Sequence, residues 1–255
     1  MLPNYSEDYL LDKQVKILQP IDGYRASTDA VLLSAMLDDV AVRNNARILD
    51  VGSGTGAVSL CLAQRLQTRK VQIIGAEIPP ELVALSNASA QANGFDFLHY
   101  LETDIRQKPA NEMLAPCSFD VVISNPPYSA DDLPSPKTGK ATAHNMQAFD
   151  LGGWLGFCLK MAKPFGRLYL VHRAEALPQI CYLLQGKAGG ITIFPIYSKV
   201  GQTAKRIIVA AQKDSKAPCR ILPPFVTHDA SGAYTPMAEQ ILRGGKTFAQ
   251  ILTGL

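Results

Sequence analysis

The stretch from Leu49 to Ser59, LDVGSGTGAVS, constrains the fold more than any other segment. Before it runs ARILDV (Ala46 to Val51), a short apolar strand-like run. After it come Val58, Leu62 and Leu66 at i, i+4 and i+8, the spacing of one helical face. Glycines at 52, 54 and 56 let the backbone adopt conformations that a β-carbon forbids and let a ligand approach the main chain closely. That pattern is specific for a nucleotide-like cofactor. Read literally, Gly52-x-Gly54-x-x-Ala57 also satisfies the dinucleotide fingerprint, with Glu77 about 25 residues on as the ribose acid in either case.

From Ala46 to about Lys213, strand-like and helix-like segments alternate, which predicts an α/β fold: a Rossmann-like, seven-stranded, mostly parallel sheet with helices on both faces. KVQIIGA, FLHYLE, FDVVIS, RLYLV, ITIFPI and RIIVAA read as the strands after ARILDV. Pro79-Pro80 opens a helix that runs through Ala92 and closes at Asn93-Gly94. Leu151, Trp154, Leu155, Cys158, Leu159 and Ala162 share one helical face, with Lys160 and Lys163 in the last turn and Pro164 as the stop. On that spacing Trp154 and Cys61 are expected in the core. Residues 1–45 form an N-terminal segment and first helix belonging to the same domain. Residues 46–213 form the core, and residues 214–255 an irregular tail ending in a helix around MAEQILRGG.

Composition narrows the class. A chain of 255 residues with 47% hydrophobic and 18% charged residues suits one soluble domain, and the net charge of +3 permits nucleic acid without demanding it. Five dispersed cysteines with no C-x-x-C pair predict reduced thiols in a cytoplasmic protein. Four dispersed histidines argue against a protein metal site. No stretch is long and apolar enough to span a bilayer, so no membrane partner is expected, and a monomer is the simplest state.

The acids choose between cofactors. Asp50 and Glu77 stand at the ends of the first two strands, Asp104 follows the third and Asn125 the fourth. The carboxyl ends of neighbouring parallel strands line one crevice, so these four fall in a row beside the glycine turn. The row ends in Asn125-Pro126-Pro127-Tyr128. Two prolines stop a strand, but a stop alone does not explain a preceding amide and a following ring.

DVGSGTG, GAEI, ETD and NPPY in this order resemble the class I S-adenosylmethionine-dependent methyltransferases that act on planar amines. The resemblance implies that Asp50, Gly52, Ser53, Gly54, Thr55 and Gly56 surround the methionine portion and ribose of S-adenosyl-L-methionine. Glu77, with Ile78 beside it, would take the ribose hydroxyls. Asp104 would take the adenine amino group, with Ile105 adding a backbone contact. Asn125, Pro126, Pro127 and Tyr128 would form the catalytic turn: the Asn125 side-chain oxygen and the Pro126 carbonyl accept the N–H groups of a poorly nucleophilic amine, and Tyr128 stacks on the base.

ILQPIDGYRASTDAVLL (Ile17 to Leu33) is similar to the opening of the family that includes bacterial tRNA1(Val) (adenine-37 N6)-methyltransferase. This implies that a short strand and the GYR-x-STDA-like stretch close over the cofactor, with Thr28 and Asp29 as contacts and Ser27 or Thr28 as the helix cap. The likeness runs from about Gln14 to Ala211, and Asn145 in AHN departs from it. An adenine N6 in tRNA is the expected acceptor. A glutamine of a release factor or a guanine N2 of ribosomal RNA shares the chemistry, and a dinucleotide oxidoreductase or a cofactor-binding RNA scaffold are readings of other classes. From Lys199 to Lys246 eight basic residues face three acids, which suits a phosphate-binding tail where substrate choice would lie. The Ser129–Phe149 loop is expected to act as a substrate lid.

Overall fold

The computed structural model describes residues 2–22, 25–37, 42–128 and 150–252. The lid segment, the AHN motif, Gly23 and Tyr24 lie outside the described residues.

The chain opens with a hairpin, β1 (Tyr5–Leu10) and β2 (Val15–Pro20), paired antiparallel. Helix α1 (Thr28–Ser34) follows. The alternating unit then runs β3 (Ala46–Val51), α2 (Ala57–Arg65), β4 (Val71–Glu77), α3 (Pro80–Ala92), β5 (Leu98–Glu102) and β6 (Phe119–Ser124). It continues through α4 (Leu151–Met161), β7 (Ala162–Arg173), α5 (Leu177–Leu184), β8 (Ala188–Tyr197) and β9 (Arg206–Lys213). All seven strands expected from the sequence are present.

The main sheet has the order β10 (Arg220–Ile221)-β8-β9-β7-β6-β3-β4-β5. β5, β4, β3, β6 and β7 are mutually parallel, and β9 runs antiparallel between β7 and β8. Burial on both faces explains the near-continuous apolar runs. One core cluster joins α1, α2, α3 and the hairpin to one face. A second joins α4 and α5 to the other.

Two features differ from the sequence reading. The sheet has nine strands, because the tail adds β10 (Arg220–Ile221) and β11 (Phe225–Val226), both parallel to β8. The outer strand is split there because Pro223 and Pro224 offer no N–H beside Pro195 of β8. The tail then forms α6 (Pro236–Leu242), the helix expected around MAEQILRGG, and a further short helix, α7 (Phe248–Ile251). Helix α4 ends at Met161, and Ala162 already belongs to β7. Lys163 therefore lies in a strand and pairs with Asp120 at 2.8 Å; Pro164 does not stop the helix.

The hairpin rests on α3. Asn93 accepts the Lys16 N–H at 2.9 Å and donates to the Lys16 carbonyl at 2.7 Å, and Ser89 Oγ accepts the Leu18 N–H at 2.9 Å. Side chains of a helix thus satisfy the backbone of a strand edge.

Candidate active site

The glycine turn leaves β3 with Gly52 and Gly56 at φ +69° and +85°. A Cβ on Gly52 would lie 2.6 Å from the Trp154 ring, and one on Gly56 would lie 2.3 Å from the Tyr100 hydroxyl, so both positions need glycine on two counts. The Gly52 and Ser53 N–H groups donate to the Ala76 carbonyl at 2.9 and 3.2 Å, fixing the turn to the end of β4.

Behind the turn, Asp50 is fully buried, and among the described residues neither carboxylate oxygen has a hydrogen-bond partner. Burial pushes this carboxyl up to about 7, Ser59 opposes the shift, and the charge of Glu77 adds to it. The Ser27 and Ser53 hydroxyls are likewise buried without a partner among the described residues. Ser27 and Ser53 border a small cavity together with Gly52, Gly54, Thr55 and Asn125.

Glu77 turns its carboxylate back onto the glycine loop. It accepts the Gly54 N–H at 2.7 Å and the Ile78 N–H at 2.8 Å. Burial raises its pKa and the two amides oppose the rise. Asp104, one strand further, accepts from the Arg106 backbone N–H at 3.0 Å and from its guanidinium at 2.7 Å. The hydrogen bond from Arg106 is the main reason its carboxyl lies below the ordinary range. Ile105 packs at the rim of the second core cluster, and the Ile78 side chain is exposed.

The Asn125–Tyr128 turn leaves β6 on the far side of the same cavity. Ser124, the last residue of β6, is a buried hub: its hydroxyl donates to the Val51 carbonyl at 2.7 Å and accepts the Trp154 indole N–H at 2.9 Å. This joins the proline turn, the end of β3 and α4 through one oxygen. Trp154, expected deep in the core, is half-buried and holds its ring against Gly52.

Tyr128 is held by residues from three other elements. Its hydroxyl lies 2.7 Å from Asp29 Oδ2 and 3.2 Å from Asn125 Oδ1. The Arg206 guanidinium carbon stands 4.6 Å from its ring centroid and that of Arg173 5.4 Å, while His172 meets it edge-on at 5.1 Å. Asp29 also accepts Arg206 Nε at 2.9 Å. His172 is buried, its ring nitrogens have no hydrogen-bond partner among the described residues, and burial pushes its pKa down.

The row of sequence candidates thus occupies one end of the sheet, with exceptions. Thr28 is exposed and does not border the cavity, where Ser27 stands. Ser27 is the N-cap of α1, but its hydroxyl makes no cap bond; its carbonyl accepts the Ala30 N–H at 3.2 Å. Arg206, Arg173 and His172 were not read from the sequence as site residues. Several of the eight basic residues of 199–246 have partners within the fold. Arg206 pairs with Asp29, Lys213 caps the Ala162 carbonyl at 2.9 Å, and Arg243 pairs with Glu239 at 3.3 Å. A larger cavity of about 520 Å³, near Cys181, Tyr182 and Cys219, lies at the amino end of β8 and contains none of the candidates.

Four orphaned polar side-chain atoms, on Ser27, Asp50 and Ser53, cluster at one glycine turn with a carboxylate at the end of the next strand. Polar groups buried without partners are costly, so their concentration here fits a polar cofactor that would satisfy them. Among the described residues no group of three or more His, Cys, Asp or Glu is placed to hold a metal ion, and no helix is long and apolar enough to cross a membrane.

Residues 43–206 match the family model Methyltransf_31, a methyltransferase domain. The tRNA1(Val) (adenine(37)-N6)-methyltransferase of Tolumonas auensis is 31% identical over 179 residues, covering 70% of each protein. The protein of that name from Porphyromonas gingivalis is 28% identical over 231 residues, 88% of this chain and 89% of its own length. A crystal structure from Agrobacterium tumefaciens, described as a predicted O-methyltransferase, superposes with a TM-score of 0.69 at 25% identity, over 86% of this chain and 97% of its own. With this strand order, this glycine turn and these relatives, the chain belongs to the class I S-adenosylmethionine-dependent methyltransferases, in the family of the tRNA1(Val) (adenine(37)-N6)-methyltransferases.

Proposed function

We propose that this enzyme methylates the exocyclic N6 of an adenine in tRNA, with Asn125 and Pro126 facing the amine. The observation that carries the reading is that Asn125 borders the same cavity as Gly52, Ser53, Gly54 and Thr55. An amine acceptor at Asn125 therefore lies next to the cofactor turn. When bound, S-adenosylmethionine supplies an electrophilic methyl group carried on a sulfonium. Asp50, the glycine turn and Glu77 hold that cofactor, and Asp104 exchanges its contact with Arg106 for the adenine amino group. The lone pair of an adenine amine is delocalised into its ring. The Asn125 oxygen and the Pro126 carbonyl accept its two N–H groups and favour the tetrahedral nitrogen of the transition state. Pro126 and Pro127 keep those acceptors still, so alignment is set before the amine arrives.

A base within a folded tRNA has to leave its stack to reach Asn125. Lys199 and Lys205, in the β8–β9 connection at the carboxyl end of β8, supply cations for its phosphates at the same end of the sheet, and turnover should fall with added salt. Such a substrate places the enzyme in the cytoplasm. The test is radiolabelled methyl transfer to bulk tRNA followed by nucleoside mass spectrometry, with Asn125→Ala as control. N6-methyladenosine formed by the wild type and lost in the variant, at unchanged cofactor affinity, is expected. Labelling of a release factor with tRNA inert would select the glutamine reading instead.

A further inference from the structure

Tyr128 has one hydroxyl proton and two oxygen acceptors beside it among the described residues, Asp29 Oδ2 at 2.7 Å and Asn125 Oδ1 at 3.2 Å. Asp29 stands in the first turn of α1, and the same oxygen accepts Arg206 Nε at 2.9 Å from the start of β9. Arg206 also covers the Tyr128 ring, and His172 abuts its edge, so the phenol is fixed at the ring as well as at the hydroxyl.

Where the proton goes decides how Asn125 is presented. A carboxylate forms the shorter and stronger hydrogen bond, so the hydroxyl donates to Asp29. Its oxygen then offers lone pairs alone to the donors beside it, the Arg206 guanidinium and the Asn125 carboxamide. A carboxamide has one acceptor end and one donor end, and a phenol oxygen that has given its proton elsewhere favours the donor end. Turned about its last bond, Asn125 sets Nδ2 on the tyrosine oxygen and directs Oδ1 into the crevice. Without an acceptor at position 29, Asn125 Oδ1 is the acceptor left to the hydroxyl among the described residues. That ties up the oxygen and presents an NH2 group to the N–H groups of the substrate.

We propose that Asp29, held by Arg206, is a positioning residue for methyl transfer: by taking the Tyr128 proton it turns the Asn125 carboxamide so that its oxygen faces the acceptor amine. This rests on the amine reading above and extends it to a proton relay from α1 through the tyrosine to the asparagine.

The test measures methyl transfer to an unmodified tRNA transcript pool by the wild type, Asp29→Leu, Tyr128→Phe and the double variant, with cofactor affinity and melting curves for each. Asp29→Leu is expected to lower kcat at least 30-fold while the KM for S-adenosylmethionine stays within twofold. Tyr128→Phe alone should cost three- to tenfold. The double variant should be at least tenfold faster than Asp29→Leu, because removing the hydroxyl removes the competing donor. Asp29→Asn keeps a neutral acceptor and should fall between, and where Asp29→Leu does not fold the same comparison is made with Asp29→Asn and its Tyr128→Phe double. A double variant no faster than the single one overturns the relay, as does an Asp29→Leu enzyme that turns over like the wild type. A wild type that methylates no amine removes the parent reading and this inference with it.

Discussion

Gly54 donates its backbone N–H to Glu77 Oε2 at 2.7 Å, so the glycine turn after β3 and the end of β4 meet in one carboxylate. The other oxygen takes the Ile78 N–H at 2.8 Å, which leaves lone pairs on both oxygens for ribose hydroxyls. Glu77→Ala loses those acceptors and frees the Gly54 amide. Hydrogen bonds to charged groups contribute about 1.5–3 kcal/mol, so S-adenosylmethionine should bind roughly 10- to 150-fold more weakly by calorimetry. Glu77→Gln keeps one acceptor oxygen and should lose less.

Asp50 makes the cofactor-free protein sensitive to pH. Burial lifts its carboxyl from the ordinary 3.8 to about 7, so between those values the folded protein keeps a proton that the unfolded chain has released. Stability from this group is therefore greatest at or below pH 4, falls as pH rises, and has reached its minimum above about pH 7. The ionised form costs up to ~4 kcal/mol in the fold. Asp50→Asn should melt higher than the wild type at pH 8 without cofactor, and the gap should close towards pH 4 in thermal melts across that range.

The single tryptophan of the chain reports on the turn. Its ring lies where a Gly52 Cβ would fall, so cofactor binding at the turn should change its emission, and Trp154→Phe should lose the signal. That variant also gives up the bond to Ser124, at a cost of about 1 kcal/mol. Gly52→Ala meets both the ring and a left-handed backbone. It should cost roughly 1–3 kcal/mol in chemical denaturation and weaken cofactor binding.

Phe248 of α7 is 1% exposed and meets Phe194 and Phe225 edge-on, with ring centroids 4.6 and 4.9 Å away. Phe248→Ala should destabilise the protein by about 3–5 kcal/mol, measured by denaturant unfolding, although the residue lies far along the chain from the cofactor turn.

The parts of the site that follow strands in order were legible, because a parallel sheet converts sequence order into neighbouring carboxyl ends. Asp50, Glu77, Asp104 and Asn125 needed only that rule. Arg206 was not legible, since it lies 78 positions beyond Tyr128 and begins a strand; its place beside the tyrosine depends on β9 running antiparallel to β7. An orientation assigned to that strand would have brought its first residue to the active end. Asp104 carried its own signal: an arginine two positions on can fold back onto the carboxylate. In the tail, β10 and β11 were not legible because they are two residues each, too short for period-two alternation to show, and Pro223-Pro224 looks like loop.

Helix α1 is closed over by the distant end of the chain. Phe248 donates its N–H to the Ala35 carbonyl at 2.9 Å, α6 packs on α1, and Arg65 of α2 reaches the carbonyls of Ile241 and Gly245. During synthesis, Leu32 and Leu33 of α1 emerge more than two hundred residues before α6 and α7, a delay of roughly 10–40 s at ribosomal speed. The half of the site carrying Asp29 is therefore completed last. Nascent chains released short of α7 should be the ones that chaperones and proteases recognise.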